Sequence, residues 1–195
     1  MNGILTPSLW RSCRVLANRN RLRLIKAMIG REFLTVEALM DVCKMKQSAC
    51  SQNLRLINSR GLTLVSRQGR WVRYGLGADP KVQQAKPLLI AVVEALRKCK
   101  TDKDVDSVIY GLTAFTHPRR ITLLRVINEV KVAEMTELQI RCGISLPALY
   151  RQVDKLERRG IVQVNHDGVS LLRPKDKLLH ALIALVLEGE ISHTL

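Results

Sequence analysis

Shifted by 99 residues, the chain falls on itself. Leu16-Ala17-Asn18-Arg19-Asn20-Arg21-Leu22 meets Phe115-Thr116-His117-Pro118-Arg119-Arg120-Ile121, Arg60-Gly61-Leu62 meets Arg159-Gly160-Ile161, and Gly69 meets Gly168. No gap is needed between Leu16 and Tyr74, and 9 of the 59 positions are identical: Arg21, Leu24, Leu39, Cys43, Ala49, Arg60, Gly61, Val65 and Gly69. The unbroken register, more than the identity, argues for two copies of one fold. A period near 100 residues is too long for a solenoid unit and suits a small domain. With 47% hydrophobic but only 4% aromatic residues, each copy must build its core mainly from Leu, Ile, Val and Ala.

The periodicity is helical with one strand pair per copy. In the first copy Leu9, Cys13, Leu16 and Ala17 trace one helix face, and Leu22, Leu24, Ile25, Met28 and Ile29 a second, closed by Gly30. Val36–Met40 opens a short third helix. A turn at Lys44-Met45-Lys46 leads to a fourth, with Ala49, Cys50, Leu54 and Ile57 inward and Gly61 just past its end. Leu62–Val65 and Trp71–Tyr74 read as strands joined at Gln68-Gly69, and Asp79-Pro80 starts a long helix ending in Pro87–Leu96. The second copy repeats the plan. Thr136-Glu137-Leu138-Gln139 has capping-box spacing for its third helix, Ser145 suits the cap of the fourth, and Asp167-Gly168 fits a hairpin turn. Leu178–Leu187 is the last helix. Lys98–Asp106 is polar and reads as a linker, so the expected division is 1–98, a linker at 99–106, and 107–195.

This order, a helix-turn-helix followed by a two-stranded wing and a closing helix, gives a mainly α fold with small β-hairpin wings: two tandem winged helix-turn-helix domains. The charge is as unevenly placed as the pattern is regular. Residues 1–100 carry 19 Lys and Arg against 5 Asp and Glu, net +14, whereas residues 101–195 carry 13 against 12, net +1. An excess of this size favours a polyanionic partner for the first copy. Membrane-surface binding would need a basic amphipathic helix with an exposed apolar face, and none is evident.

Five cysteines, Cys13, Cys43, Cys50, Cys99 and Cys142, lack CxxC spacing and fall within or at the ends of helices, as reduced core thiols do. No long apolar run marks a signal peptide, and Pro87–Leu96 and Leu178–Leu187 are too short to span a bilayer. A soluble cytoplasmic, nucleoid-associated protein is the expectation. Without a phosphate-binding loop, nucleophile elbow or metalloprotease motif, no enzyme and no cofactor are expected.

Leu16-Ala17-Asn18-Arg19-Asn20-Arg21-Leu22-Arg23-Leu24-Ile25, then Gln47–Leu54, Arg60-Gly61-Leu62 and Gly69-Arg70-Trp71-Val72-Arg73-Tyr74 resemble an ArsR-type winged-helix repressor over nearly all of residues 8–98. The resemblance implies that the fourth helix enters the major groove of double-stranded DNA while the wing lies along the backbone or minor groove. On helix 47–60 the face opposite the core carries Gln47, Ser48, Ser51, Gln52 and Arg55, with Ala49 among the short residues that permit close approach. Gln bonds adenine and Arg bonds guanine in bidentate fashion. Arg67, Arg70 and Arg73 on the wing are the candidate phosphate or minor-groove contacts. In the diverged second copy the equivalents are Tyr150, Arg151 and Lys155, but the wing tip Asn165-His166-Asp167 has lost the arginines.

ArsR-type proteins are similar in being dimers held by their first and last helices, and each copy here has both: 8–17 with 80–98, and 105–116 with 175–188. Two assemblies follow: a monomeric intrachain pseudo-dimer, favoured because Leu178–Leu187 is apolar nearly all round, or a homodimer of the tandem chain. Metal sensing does not carry over. The Cys pair of arsenic sensors would fall near Thr35 and Glu37, and the four His form no ligand pair at helical spacing. The function expected is a sequence-specific DNA-binding transcriptional regulator, a repressor by resemblance. The alternatives are a protein-interaction scaffold and a nonspecific DNA-binding protein.

Overall fold

The computed structural model describes residues 8–188. The first half runs α1 (Leu9–Leu16), α2 (Arg19–Met28), β1 (Leu34–Thr35), α3 (Val36–Cys43), α4 (Gln47–Asn58), β2 (Thr63–Gln68), β3 (Trp71–Leu76) and α5 (Ala85–Lys98). The second runs α6 (Asp102–Leu112), a 3-10 turn (Thr113–Phe115), α7 (Pro118–Val130), β4 (Val132–Ala133), α8 (Met135–Cys142), α9 (Leu146–Glu157), β5 (Val162–Asn165), β6 (Gly168–Leu171) and α10 (Lys177–Glu188). The chain is thus mainly helical, with two three-stranded antiparallel sheets ordered β1-β3-β2 and β4-β6-β5.

The offset of 99 is structural. α8 and α9 begin and end 99 residues after α3 and α4, and α7 and β5 begin 99 residues after α2 and β2. The register then breaks at the hairpins. In the first, Gln68 pairs with Trp71 across a tip of Gly69-Arg70. In the second, Asn165 pairs with Gly168, so the tip is His166-Asp167 and not Asp167-Gly168. The glycine match between Gly69 and Gly168 is therefore one of sequence only. Gly168 (φ +129°) lies in a strand where a Cβ would stand 2.5 Å from the Ala133 carbonyl oxygen.

Local chemistry sets the element ends. Asn18 caps α2 by accepting from Arg21 N (3.2 Å), and Thr35 caps α3 by accepting from Ala38 N (3.2 Å). Four details differ from the sequence expectation. The cap residue of α8 is Glu134, without a side-chain cap bond, and Thr136 lies inside the helix with its hydroxyl donating to Glu134 Oε2. Ser145 does occupy the cap position of α9, but only its carbonyl is used, accepting from Leu149 N. Asp79-Pro80 forms a turn, with Asp79 Oδ1 accepting from Lys81 N, and α5 starts at Ala85 with Pro87 in its first turn. The two-residue strands β1 and β4 were not read from the sequence at all.

The segment expected as a linker is part of the fold. Cys99 is buried, and Thr101 and Asp104 form a capping box that starts α6. Val105 enters the core, and Asp102 and Asp106 form ion pairs with Arg23 and Arg19 of α2. Its polar residues are caps and ion partners, which in composition look like a solvated loop.

The two halves share one apolar core. α10, which buries Leu178, Leu182, Ile183, Leu185 and Val186, lies against α5, which buries Leu88, Leu89, Ala91, Val92 and Leu96. α1 packs on α6 and on the 3-10 turn, and α2 and α5 also touch α6. Each buried Leu, Ile or Val contributes about 1.5–3 kcal/mol over exposure, so this seam orders both halves together. Gln84 Nε2 and Lys26 Nζ add hydrogen bonds across it, to the carbonyls of Leu185 (3.3 Å) and Cys99 (2.7 Å). No helix among the described residues is long and apolar enough to cross a membrane.

One core implies one cooperative unit. Leu182→Ala should cost about 2–5 kcal/mol in urea unfolding and lower amide-exchange protection in α1, α2 and α5 as well as in the second half. Loss of protection confined to residues 101–188 would contradict a shared core.

Candidate nucleic-acid interface

α4 is presented by its neighbours. Lys44, in the left-handed region (φ 52°), turns the chain between α3 and α4, and Lys46 occupies the cap position. Cys50, Leu54 and Ile57 are buried, as their spacing on one helix face requires. Gln47, Ser48, Gln52 and Arg55 are exposed on the other side, with Ala49 and Ser51 half-buried at its edges. Arg21 holds this orientation. Its guanidinium donates to the Val15 carbonyl at the end of α1 and, at 3.2 Å, to Asn53 Oδ1 on α4.

The β2–β3 hairpin stands beside α4. Arg67 and Arg70 are exposed, while Arg73 is half-buried with its Nε lacking a hydrogen-bond partner. The Arg70 guanidinium lies 5.1 Å from the centroid of the exposed Trp71 indole, a cation–π contact. A cleft of about 300 Å³ separates helix from hairpin, and Val36, Glu37, Gln47, Ser51, Arg70, Trp71 and Val72 line it. Gln47, Ser51 and Arg70 thus meet at one site. Glu37 and Trp71 belong there too, beyond the residues expected from sequence; an aromatic residue directly after Arg70 is the signal that could have marked the indole. A carboxylate there repels phosphate and accepts from the amino group of cytosine.

Ion pairing distinguishes this surface from Arg19 and Arg23 of α2. Among the described residues none of Arg55, Arg67, Arg70 and Arg73 forms an ion pair, whereas Arg19, Arg23, Arg141 and Arg158 are all bound to carboxylates. The cations left uncompensated in the first half therefore include every arginine of the α4 and hairpin face.

The same scaffold carries a different surface in the second half. At the positions of Gln47, Ser48, Ser51 and Arg55, α9 has Leu146, Pro147, Tyr150 and Asp154. Tyr150 is 58% exposed and Arg151 is exposed, as expected of an outer face, and Ile140 of α8 is 81% exposed. Lys155 departs from that expectation. It is half-buried, and burial first, then the charges of Arg120 and Arg159, lower its pKa. At the hairpin tip His166 contacts Asp167 at 3.1 Å.

Arg120 repeats the role of Arg21 residue for residue. Its Nε donates to the Ala114 carbonyl (2.5 Å) and a terminal nitrogen to Gln152 Oε1 (2.7 Å), and both acceptors lie 99 residues after Val15 and Asn53. Arg120 is 4% exposed, and burial lowers its pKa to about 10. The same-offset Asn18 and His117 each cap the helix that bears the arginine.

All five thiols are free. Burial pushes Cys13 far above the ordinary thiol range and Cys50 up to about 11, so these thiols are protonated at neutral pH. Among the described residues no group of three or more His, Cys, Asp or Glu is placed to hold a metal ion. Comparison with known proteins returns no matching family, no matching curated protein and no matching solved structure.

The lowered pKa of His117 predicts an acid-sensitive contribution to the stability of the fold. Its Nδ1 accepts from Arg119 N (3.2 Å), and burial, then Arg120, Arg119, Arg14 and Lys155, lower its pKa. The unfolded chain then takes up the proton first, so stability falls as pH drops from the unfolded value of about 6.5 through the lower folded one. His117→Asn, the residue found at Asn18, keeps a cap acceptor that does not titrate. Urea unfolding at about pH 7.5 and about pH 5.5 should show a smaller acid loss in the variant than in the parent. An equal loss would exclude His117 as its source.

Proposed function

We propose that the chain is a sequence-specific, double-stranded DNA-binding transcriptional regulator built from two tandem winged helix-turn-helix units. In this reading α4 enters the major groove, and Gln47, Ser48, Ser51, Gln52 and Arg55 meet the base edges, with Ala49 allowing close approach. The β2–β3 hairpin is the wing, with Arg67, Arg70 and Arg73 on the backbone or in the minor groove. The observation that carries the reading is the union, on one surface, of a polar α4 face and a hairpin whose arginines have no ion partners. Phosphates supply the missing counter-charge, so binding weakens steeply with salt. The resemblance of residues 8–98 to ArsR-type regulators adds to it, and repression is the corresponding mode of action.

The seam of α1 and α5 with α6 and α10 supports an intrachain pseudo-dimer, in which one chain does what two would otherwise do. We propose a monomer reading an asymmetric site. A solution mass of two chains at micromolar concentration would refute that assembly and favour the homodimer.

A second reading applies to the second unit. Leu146, Pro147, Tyr150 and Ile140 give it an apolar outer surface near α9, which suits a protein partner better than phosphate. In that case Tyr150 and Arg151 contribute little to DNA affinity.

Fluorescence titration of duplex DNA against salt separates the contacts. Arg70→Ala should weaken binding to every sequence and reduce the slope of log affinity against log salt by about one unit. Gln52→Ala should relax preference at one base pair by about 1–3 kcal/mol with the slope unchanged. An unaltered preference after Gln52→Ala would mean that α4 presents another face.

A further inference from the structure

Where the two halves meet, cations from both gather: Arg14, Arg119, Arg120 and Lys155 all act on the His117 imidazole, while Arg159 also lines a cavity with Glu94, Asp104 and Asp176. Arg14 stands exposed on α1, which packs on the 3-10 turn directly before His117 and Arg119. Behind them is the buried Arg120, whose side chain donates to the carbonyls of Ala114 and Thr113, to Thr116 Oγ1 and to Gln152 Oε1, all neutral acceptors. Arg159 shares Thr113 with it, donating to that hydroxyl at 2.7 Å, and also donates to the Lys155 carbonyl at 3.0 Å. Among the described residues none of Arg14, Arg119, Arg120, Lys155 and Arg159 forms an ion pair; the acids Asp154, Glu129, Glu137, Asp102 and Asp106 are engaged elsewhere.

A buried guanidinium beside further cations, with no counter-ion, carries a desolvation and repulsion penalty that an anion at the mouth of the cluster relieves. The fold does not require this arrangement. Around Arg21 in the first half, the positions matching His117, Arg119 and Lys155 hold Asn18, Asn20 and Leu56. The second half thus adds His117, Arg119 and Lys155 around its buried arginine, and Arg14 of the first half completes the cluster.

We propose that this seam is a phosphate-binding site, with Arg14, Arg119 and Lys155 as its charged donors and His117 at its edge. The ligand is a phosphate group, either of a nucleic-acid backbone or of a free phosphorylated small molecule. The site does not depend on α4 reading bases. Arg14 and Arg119 are exposed to solvent, whereas Arg120 and Arg159 act from behind as fixed positive charge. Bound phosphate reverses the field on the imidazole, so His117 gains a proton more readily when the site is filled.

Two titrations of the full chain test this and identify the source. In the first, pyrophosphate is added while the His117 imidazole is followed by NMR; in the second, affinity for a duplex is measured against salt. Arg119→Gln and Lys155→Gln replace residues outside the buried clamp, and unchanged melting temperatures would verify the fold. If the ligand is the backbone, each substitution lowers the duplex salt slope by about one unit and leaves base preference alone. If the ligand is a free phosphorylated molecule, pyrophosphate shifts His117 saturably and raises its pKa. The substitutions then weaken that binding about tenfold each while the duplex slope stays constant. Absence of both effects overturns the proposal. Loss of all base preference in the parent protein would instead refute the α4 reading and leave the pyrophosphate result standing.

Discussion

The outward face of α4 depends on a guanidinium lodged between three helices. Arg21 reaches from α2 to the Val15 carbonyl near the end of α1 and to Asn53 on α4, and Arg120 makes the same contacts with Ala114 and Gln152. An arginine suits this place because its planar fork satisfies a carbonyl and an amide at once, which an ammonium on a flexible stem does less rigidly. The clamp reinforces the rotation of α4 set by the burial of Cys50, Leu54 and Ile57, which leaves Gln47, Ser48, Gln52 and Arg55 in solvent. It also places a charge in the interior, and the two halves treat that charge differently. Asparagines and a leucine surround the positions beside Arg21, whereas more cations surround Arg120.

One scaffold therefore presents two surfaces. In the first half Arg55, Arg67, Arg70 and Arg73 lie on helix and hairpin without ion pairs among the described residues; in the second, the matching helix face carries Leu146, Pro147, Tyr150, Arg151 and Asp154, and Arg119 and Lys155 flank the buried arginine. The seam joins these surfaces rigidly. α5 against α10, and α1 against α6, bury one continuous core, and the ion pairs of Arg19 with Asp106 and Arg23 with Asp102 bridge the same join. The two acids compensate Arg19 and Arg23 of α2, whereas Arg55, Arg67, Arg70 and Arg73 of the α4 and hairpin face have no ion pair among the described residues.

Much of this was legible in the sequence because it follows from periodicity. The 99-residue register, the helix order, the buried face of α4 and the arginines of the hairpin all come from residue spacing. What was missed depends on contacts between distant residues. The segment 99–106 reads as a polar linker until Arg19 and Arg23, some 80 residues earlier, supply partners for its aspartates. β1 and β4 are two residues long and exist only because β3 and β6 offer an edge. Arg21 and Arg120 were visible as an identity, but their role lies in acceptors on other helices. Lys155 was placed on the outer face by helical spacing, and the structure holds it half-buried beside Arg120 and Arg159. Glu37 entered the helix–hairpin cleft through the packing of α3, which no local pattern announces.

Selection of the purified full-length chain on random-sequence duplex DNA, at roughly physiological salt, tests the central proposal most directly. A sequence-specific reader enriches a defined, asymmetric motif, whose length tells whether α4 alone or both halves meet the bases. Recovery of unenriched DNA that dissociates as salt rises would mean backbone binding only, and no recovery would contradict DNA binding altogether.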